Sequence, residues 1–249
     1  MRMTTMYGGT ASQGVVVGIL MQDRQIPRIP GDVGNAFTYD FPVAFYTVEG
    51  SNGSRIIERT DYTLIEKFIE GARFLQAQGC RCISSSCGFV IAFQKQIAAA
   101  VDIPVITSGL LQVPMVARML PPNKKVGILT ANSDTLDLSH FLVPGIDESR
   151  IAVQGMQGTY FYDTFPRGAV SYVYEDIRRD IVEASLQLMR QHPDVGAIVC
   201  EGTNFAPYTP AVNRATGVPI FDVATLIRFT VSGILRGMTD PFKNTLSYR

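Results

Sequence analysis

Short β-branched or apolar runs alternate with longer helical patterns along the first half of the chain, and the second half repeats the same order. Val15 to Met21 reads as a strand, about Tyr62 to Gln78 as a helix, Cys80 to Ser84 as a strand, about Phe89 to Val101 as a helix, and Pro104 to Ile106 as a strand. That order builds βαβ units, and βαβ units build a parallel sheet. The first helix rests on Leu64, Ile65, Phe68, Ile69, Ala72 and Leu75, spaced by threes and fours, with Gly79 as a stop. In the second half Val126-Gly127-Ile128-Leu129 echoes Val17-Gly18-Ile19-Leu20 at an offset of 109, and Gly217-Val218-Pro219-Ile220 echoes Asp102-Ile103-Pro104-Val105 at an offset of 115. Between them, Glu175 to Gln191 matches the helix at 62–78, and Ala197 to Cys200 matches the strand at Cys82.

A common order of four elements points to duplication rather than chance. The expected architecture is α/β: two pseudosymmetric lobes, each a parallel sheet flanked by helices, with an active site in the cleft between them. Lobe 1 is assigned to 1–118, with the C-terminal segment 223–249 packing back on it, and lobe 2 to 119–222, the junction lying near Leu120-Pro121-Pro122-Asn123. Gln22 to Gly50, with Pro27, Pro30 and Pro42, is expected to be a long ordered loop over one end of the first sheet.

Charge and cysteine usage remove several function classes. Lys+Arg and Asp+Glu both number 22, so no net charge draws the chain to nucleic acid or to acidic lipid. No apolar run reaches the length of a membrane span, and the N-terminus has no cleavage-like site, so a soluble cytoplasmic protein is expected. Cys80, Cys82, Cys87 and Cys200 make no disulfide framework and fit a reducing compartment. Their spacing, with His140 and His192 far away, matches no common zinc pattern, so no metal is expected. Dinucleotide fingerprints, phosphate loops and the G-x-S-x-G elbow are all absent.

Ligands of open parallel sheets collect at the carboxyl ends of the strands. Those ends carry Asp23, with Asn132 as its equivalent at offset 109, and Ser85-Ser86-Cys87-Gly88, with Cys200-Glu201-Gly202-Thr203 at offset 115, where Cys87 falls on Gly202. Cys87 follows a strand and starts a helix, where backbone amides favour a thiolate, so its pKa is expected to lie below that of a free thiol. Three serines before it and a glycine after it make a run too polar for core packing. Cys80 and Cys82 alternate within a strand and read as core.

Ser86-Cys87-Gly88-Phe89, Ile103-Pro104-Val105-Ile106-Thr107-Ser108, Val126-Gly127-Ile128-Leu129-Thr130 and Glu201-Gly202-Thr203-Asn204 resemble the motifs of the aspartate/glutamate racemase superfamily, in order from Val15 to about Thr225. Amino-acid and hydantoin racemases, maleate isomerase and arylmalonate decarboxylase are members. The resemblance implies two lobes, no cofactor, a homodimer or larger homo-oligomer, and a small carboxylate-bearing substrate between the lobes. Racemases of this kind set one cysteine from each lobe on opposite faces of the substrate carbon.

This chain has the first cysteine, Cys87, but Gly202 at the facing position. Cys200 lies two residues earlier, about 6 to 7 Å along a strand, and cannot replace it. The expected reaction is thiol proton transfer next to a carboxylate, most simply racemisation or epimerisation. A one-thiol decarboxylase, a cis-trans isomerase with Cys87 as nucleophile, and a binding protein without turnover stay open. Gly202 is either a lost thiol or a turn that needs positive φ.

Substrate-binding candidates are Asp23, Arg28, Ser85, Ser86, Gly88, Thr107, Ser108, Thr130, Asn132, Thr203 and Asn204. Arg28, between Pro27 and Pro30, either clamps a carboxylate or pairs with Asp32 or Asp23. Tyr160-Phe161-Tyr162 with Phe165 either walls the site or packs between subunits.

Overall fold

A computed structural model describes residues 13–142 and 147–235. The tail of the segment 223–249 beyond 235 therefore lies outside the described residues. The elements run β1 (Val17–Gln22), β2 (Val43–Val48), α1 (Ile65–Ala77), β3 (Cys82–Ser85), α2 (Gln94–Ala99), β4 (Val105–Ile106), α3 (Val113–Met119), β5 (Lys125–Thr130), β6 (Ile151–Gly155), α4 (Tyr160–Thr164), α5 (Tyr174–Gln191), β7 (Val195–Cys200), α6 (Thr209–Thr216), β8 (Ile220–Phe221) and α7 (Val223–Ile234). Two all-parallel four-stranded sheets result, ordered β2-β1-β3-β4 and β6-β5-β7-β8.

The strand ladders repeat residue for residue. Ile19 pairs with Ser84 in the first sheet and Ile128 with Val199 in the second, which reproduces the offsets 109 and 115 at once. Ile83 pairs with Val105 and Ile198 with Ile220, which gives 115 again. Parallel strands are buried on both faces, which explains why Val17, Ile19, Leu20, Val126, Ile128 and Leu129 are all nearly inaccessible.

Two strands were not legible as strands. β2 lies inside the stretch assigned to a long loop, and β6 matches it in the second half. Each is an edge strand with a mostly half-buried pattern; β2, Val43-Ala44-Phe45-Tyr46-Thr47-Val48, follows a proline- and glycine-containing stretch that reads as loop, and β6 has only Ile151-Ala152-Val153 ahead of Gln154 and Gly155. The helix expected at 89–101 opens as a 3-10 turn, Gly88–Phe93, before α2 begins.

The flanking helices cross over. α7 covers the first sheet, with Val223, Leu226, Ile227 and Val231 against Val17, Ile19 and Cys82. α3 covers the second, with Val113, Val116 and Ala117 against Val126, Ile128 and Val199. A third apolar cluster runs from Leu20 and Phe68 through Cys87 and Phe89 to Phe161, Phe205 and Leu129, so the halves meet through packed side chains. Polar ties add direction: Thr203 Oγ1 donates to Ser86 O at 2.7 Å, Asn204 Nδ2 to Asp32 Oδ2 at 2.8 Å, and Thr135 Oγ1 to Ile57 O at 2.6 Å. Among the described residues no helix is long and apolar enough to cross a membrane.

Candidate functional site

The carboxyl ends of β1, β3, β5 and β7 converge on a small pocket of about 20 Å³, walled by Arg24, Cys87, Phe161, Phe165, Glu201 and Gly202. A cleft of about 510 Å³ lies outside it, and Arg24 and Pro166 wall both spaces.

Of the residues singled out from sequence, Ser86, Cys87, Gly88, Gly202, Thr203 and Asn204 line the inner pocket. The other seven do not, and their local bonds explain why. Asp23 lines the outer cleft and accepts from Gly50 N at 2.9 Å. Arg28 Nη1 pairs with Asp32 Oδ1 at 3.0 Å, while its Nη2 is buried without a hydrogen-bond partner. Ser85 Oγ donates to Thr107 O at 2.6 Å, Thr107 Oγ1 to Gln94 Oε1 at 2.7 Å, and Ser108 Oγ caps Leu110 N at 3.2 Å. Thr130 Oγ1 donates to Glu201 Oε2 at 3.1 Å, and Asn132 Nδ2 donates to Tyr162 Oη at 3.2 Å. These side chains hold the strand ends in shape rather than facing the pocket.

Gly202 has φ −74° and ψ 140°, ordinary extended backbone, so the positive-φ explanation of this glycine is excluded. Space explains it instead: a Cβ here would lie 2.9 Å from Phe205 Cε2 and 3.0 Å from Cδ2. Phe205 in turn stacks on Phe161, with centroids 4.6 Å apart and planes at 11°. Phe205 and Phe161 thus form an aromatic stack against Gly202. Gly202→Cys is expected to lower stability by about 1–3 kcal/mol through overpacking, read as a fall in Tm. Adding Phe205→Leu should restore most of it; an unchanged Tm for the single variant would show that the ring yields freely.

Sequence reasoning missed Arg24 and Glu201 as site residues. Both are single charges beside strand ends, a pattern shared with ordinary surface residues. The one available signal was the acid directly after the apolar run Ala197-Ile198-Val199-Cys200. Glu201 is only 1% exposed. Its carboxylate accepts from Ala131 N and Thr130 Oγ1, each at 3.1 Å.

Burial dominates the electrostatics. It pushes Glu201 up to about 7 against the opposing pull of Ala131 N, Thr130, the Phe89 amide and Arg24. It also pushes the Cys87 thiol up to about 12; Glu201 adds to that rise, while Arg24 and the Phe89 and Val90 amides oppose it. The expected lowering of the Cys87 pKa is thereby reversed: the amides of the following turn do act on the sulfur, but desolvation outweighs them. Arg24 is lowered to about 10, again chiefly by burial. Among the described residues no group of three or more His, Cys, Asp or Glu side chains is placed to hold a metal ion.

The pair of parallel sheets facing one pocket defines a class: the chain has the two-lobed α/β fold of the aspartate/glutamate racemase superfamily. It superposes on unliganded arylmalonate decarboxylase with TM-score 0.56 at 20% identity, over 90% of this chain and 93% of that one. A glutamate racemase isoform from Bacillus anthracis gives 0.57 at 15% identity, over 90% and 83%. No family model matches the sequence.

By sequence the chain is similar to dimethylsulfoniopropionate lyases. It is 28% identical to one from Durusdinium sp. clade D over 231 residues, covering 88% of this chain and 75% of that protein. It is also 28% identical to dimethylsulfoniopropionate lyase 7 of Emiliania huxleyi (strain CCMP1516) over 219 residues, covering 84% and 64%.

Proposed function

We propose that this protein is a lyase that removes the hydrogen next to the carboxylate of a small acid and expels a leaving group from the neighbouring carbon, with dimethylsulfoniopropionate as the substrate to test. The observation that carries the reading is the single thiol. Inversion at a carbon needs one proton removed on one face and another delivered on the opposite face, whereas elimination removes one proton and returns none. With Phe205 against position 202, the pocket offers a thiol from Cys87 alone. The names of the sequence relatives point the same way, and the racemase expectation gives way to elimination on both grounds.

The chemistry assigns three roles. Arg24 binds the substrate carboxylate, an anion match for a desolvated guanidinium. Cys87 takes the hydrogen: the C–H bond breaks, an S–H bond forms, and the freed electron pair becomes the carbon–carbon double bond. The sulfonium leaves with its bonding pair as neutral dimethyl sulfide, and acrylate remains. Phe161 and Phe165, which wall the pocket, exclude water and offer aromatic surface to the cationic sulfonium, with Phe205 stacked behind Phe161.

The test is to incubate the purified protein with dimethylsulfoniopropionate, and separately with D- and L-aspartate, D- and L-glutamate and an arylmalonate, following each by proton NMR. Equimolar acrylate and dimethyl sulfide, without inversion of either amino acid, is the expected result. Inversion or loss of CO2 in the absence of acrylate would overturn the reading.

A further inference from the structure

Among the described residues, the second half of the molecule contributes one ionisable side chain to the inner pocket, Glu201, and it stands one residue before Gly202. Its carboxylate is aimed across the interface at the Cys87 turn. A Cβ added to Gly88 would collide with Glu201 Oε1 and with the Glu201 carbonyl oxygen, so the residue after the thiol must be glycine for the carboxylate to reach it. Oε2 is fixed by Thr130 Oγ1 and Ala131 N. The Phe89 amide opposes the upward shift of both the Cys87 thiol and the Glu201 carboxylate. Arg24 after β1, Cys87 after β3 and Cys200 at the end of β7 are the titratable groups that act with Glu201. Arg24 is the cation among them, and it opposes the upward shift of both acids.

We infer that Glu201 is the proton acceptor for Cys87, taking the thiol proton across the interface so that the thiolate is made inside the site. The inference rests on Cys87 being the group that meets the substrate. The Sγ–H bond breaks as an O–H bond forms on Glu201; the thiolate then takes the substrate hydrogen, and Glu201 releases its proton to water. One proton leaves per turnover, which balances a zwitterionic sulfonium acid giving a neutral sulfide and an acrylate anion. A carboxylate titrating near 7 is available as a base at neutral pH, and because the thiol is pushed up to about 12 the transfer is uphill, so the thiolate forms only as a minor species ahead of the step that consumes it. Glu201 acts through Cys87 and is a positioning residue in that sense.

Two measurements test it. The infrared S–H stretch of Cys87, isolated by subtracting the spectrum of Cys87→Ser, reports hydrogen bonding of the thiol without any substrate. Between about pH 5.5 and about pH 8.5 the band should move as Glu201 ionises, with a midpoint near 7, and in Glu201→Gln it should not move. The base form is the deprotonated carboxylate, so elimination should rise with pH through the same midpoint. Glu201→Gln should lose that limb and roughly 10-fold to 10²-fold in rate, while Glu201→Asp should keep the limb at reduced rate. A Cys87 band in the parent that ignores pH over this range overturns the inference, as does a Glu201→Gln variant that keeps the parental limb. If the band follows Glu201 but no acrylate forms, the pairing stands and the substrate reading falls.

Discussion

Cys87→Ala is expected to reduce the elimination rate by about 10² to 10⁴ while leaving the fold intact. No other thiol can take over. Cys200 ends β7, paired with Leu129, and is fully buried with its pKa pushed well above that of a free thiol. Cys80 lies buried two residues before β3 and Cys82 at its start, at the opposite end of that strand from Cys87, which follows its carboxyl end. The structural cost is small, since the change removes one sulfur from a cluster that runs across the interface, a void of about 1 kcal/mol. The check is kcat for acrylate formation beside a thermal melt. Cys87→Ser refines it, because a hydroxyl keeps the shape but is a far weaker acid than a thiol, and it should fall almost as far as alanine. Retention of more than about a tenth of the parental rate in either variant, on folded protein, would remove Cys87 from the reaction.

The parts of the fold that could be read directly are those whose burial is set by their own residues. Val126-Gly127-Ile128-Leu129 is a buried strand in any parallel sheet, and its echo of Val17-Gly18-Ile19-Leu20 carried the whole duplication, down to the paired residues of both ladders. β2 escaped because the prolines and glycines before it make its surroundings read as loop, although Val43-Ala44-Phe45-Tyr46 is itself apolar, and β6 because its apolar run is only Ile151-Ala152-Val153. The C-terminal segment is expected from sequence to pack back on the first lobe, where α7 lies, whereas the crossing of α3, which begins within 1–118, to the second sheet is a tertiary choice that no local pattern records.

The site divides in the same way. Cys87 was legible because its polar context is local. Arg24 and Glu201 were not, since a charged side chain after a strand is normally solvated, and both are enclosed by residues remote in sequence, Phe165 beside one and Gly88 beside the other. The hydroxyls of Ser85, Thr107 and Ser108 resemble ligand contacts in sequence because the same groups bind anions and close turns, and only their partners decide between the two. Gly202 carries the same ambiguity: a glycine required by positive φ and one required by a neighbouring ring look identical until the backbone is seen.

Arg24→Met is expected to lower kcat/KM by about 30-fold to several thousand-fold, the equivalent of roughly 2–5 kcal/mol for truncating one partner of a buried charge pair. Most of this should fall on KM, because in the proposed role the guanidinium would hold the substrate in the ground state and the transition state alike. The effect on the free protein should have the opposite sign. Arg24 Nη1 donates to the Phe165 carbonyl, but Nε is buried without a hydrogen-bond partner, and burial lowers the pKa of the group to about 10. A charge kept under those conditions destabilises the unliganded fold, and an apolar side chain of similar length removes the penalty. Tm without ligand should therefore be unchanged or higher in Arg24→Met, while the rise in Tm that a carboxylate ligand gives the parent should vanish. Arg24→Lys, which keeps the charge but not the planar fork, should recover part of the affinity. A variant that loses Tm and activity together would make Arg24 a packing residue of the interface, and one that keeps the parental KM would move the carboxylate site elsewhere in the cleft.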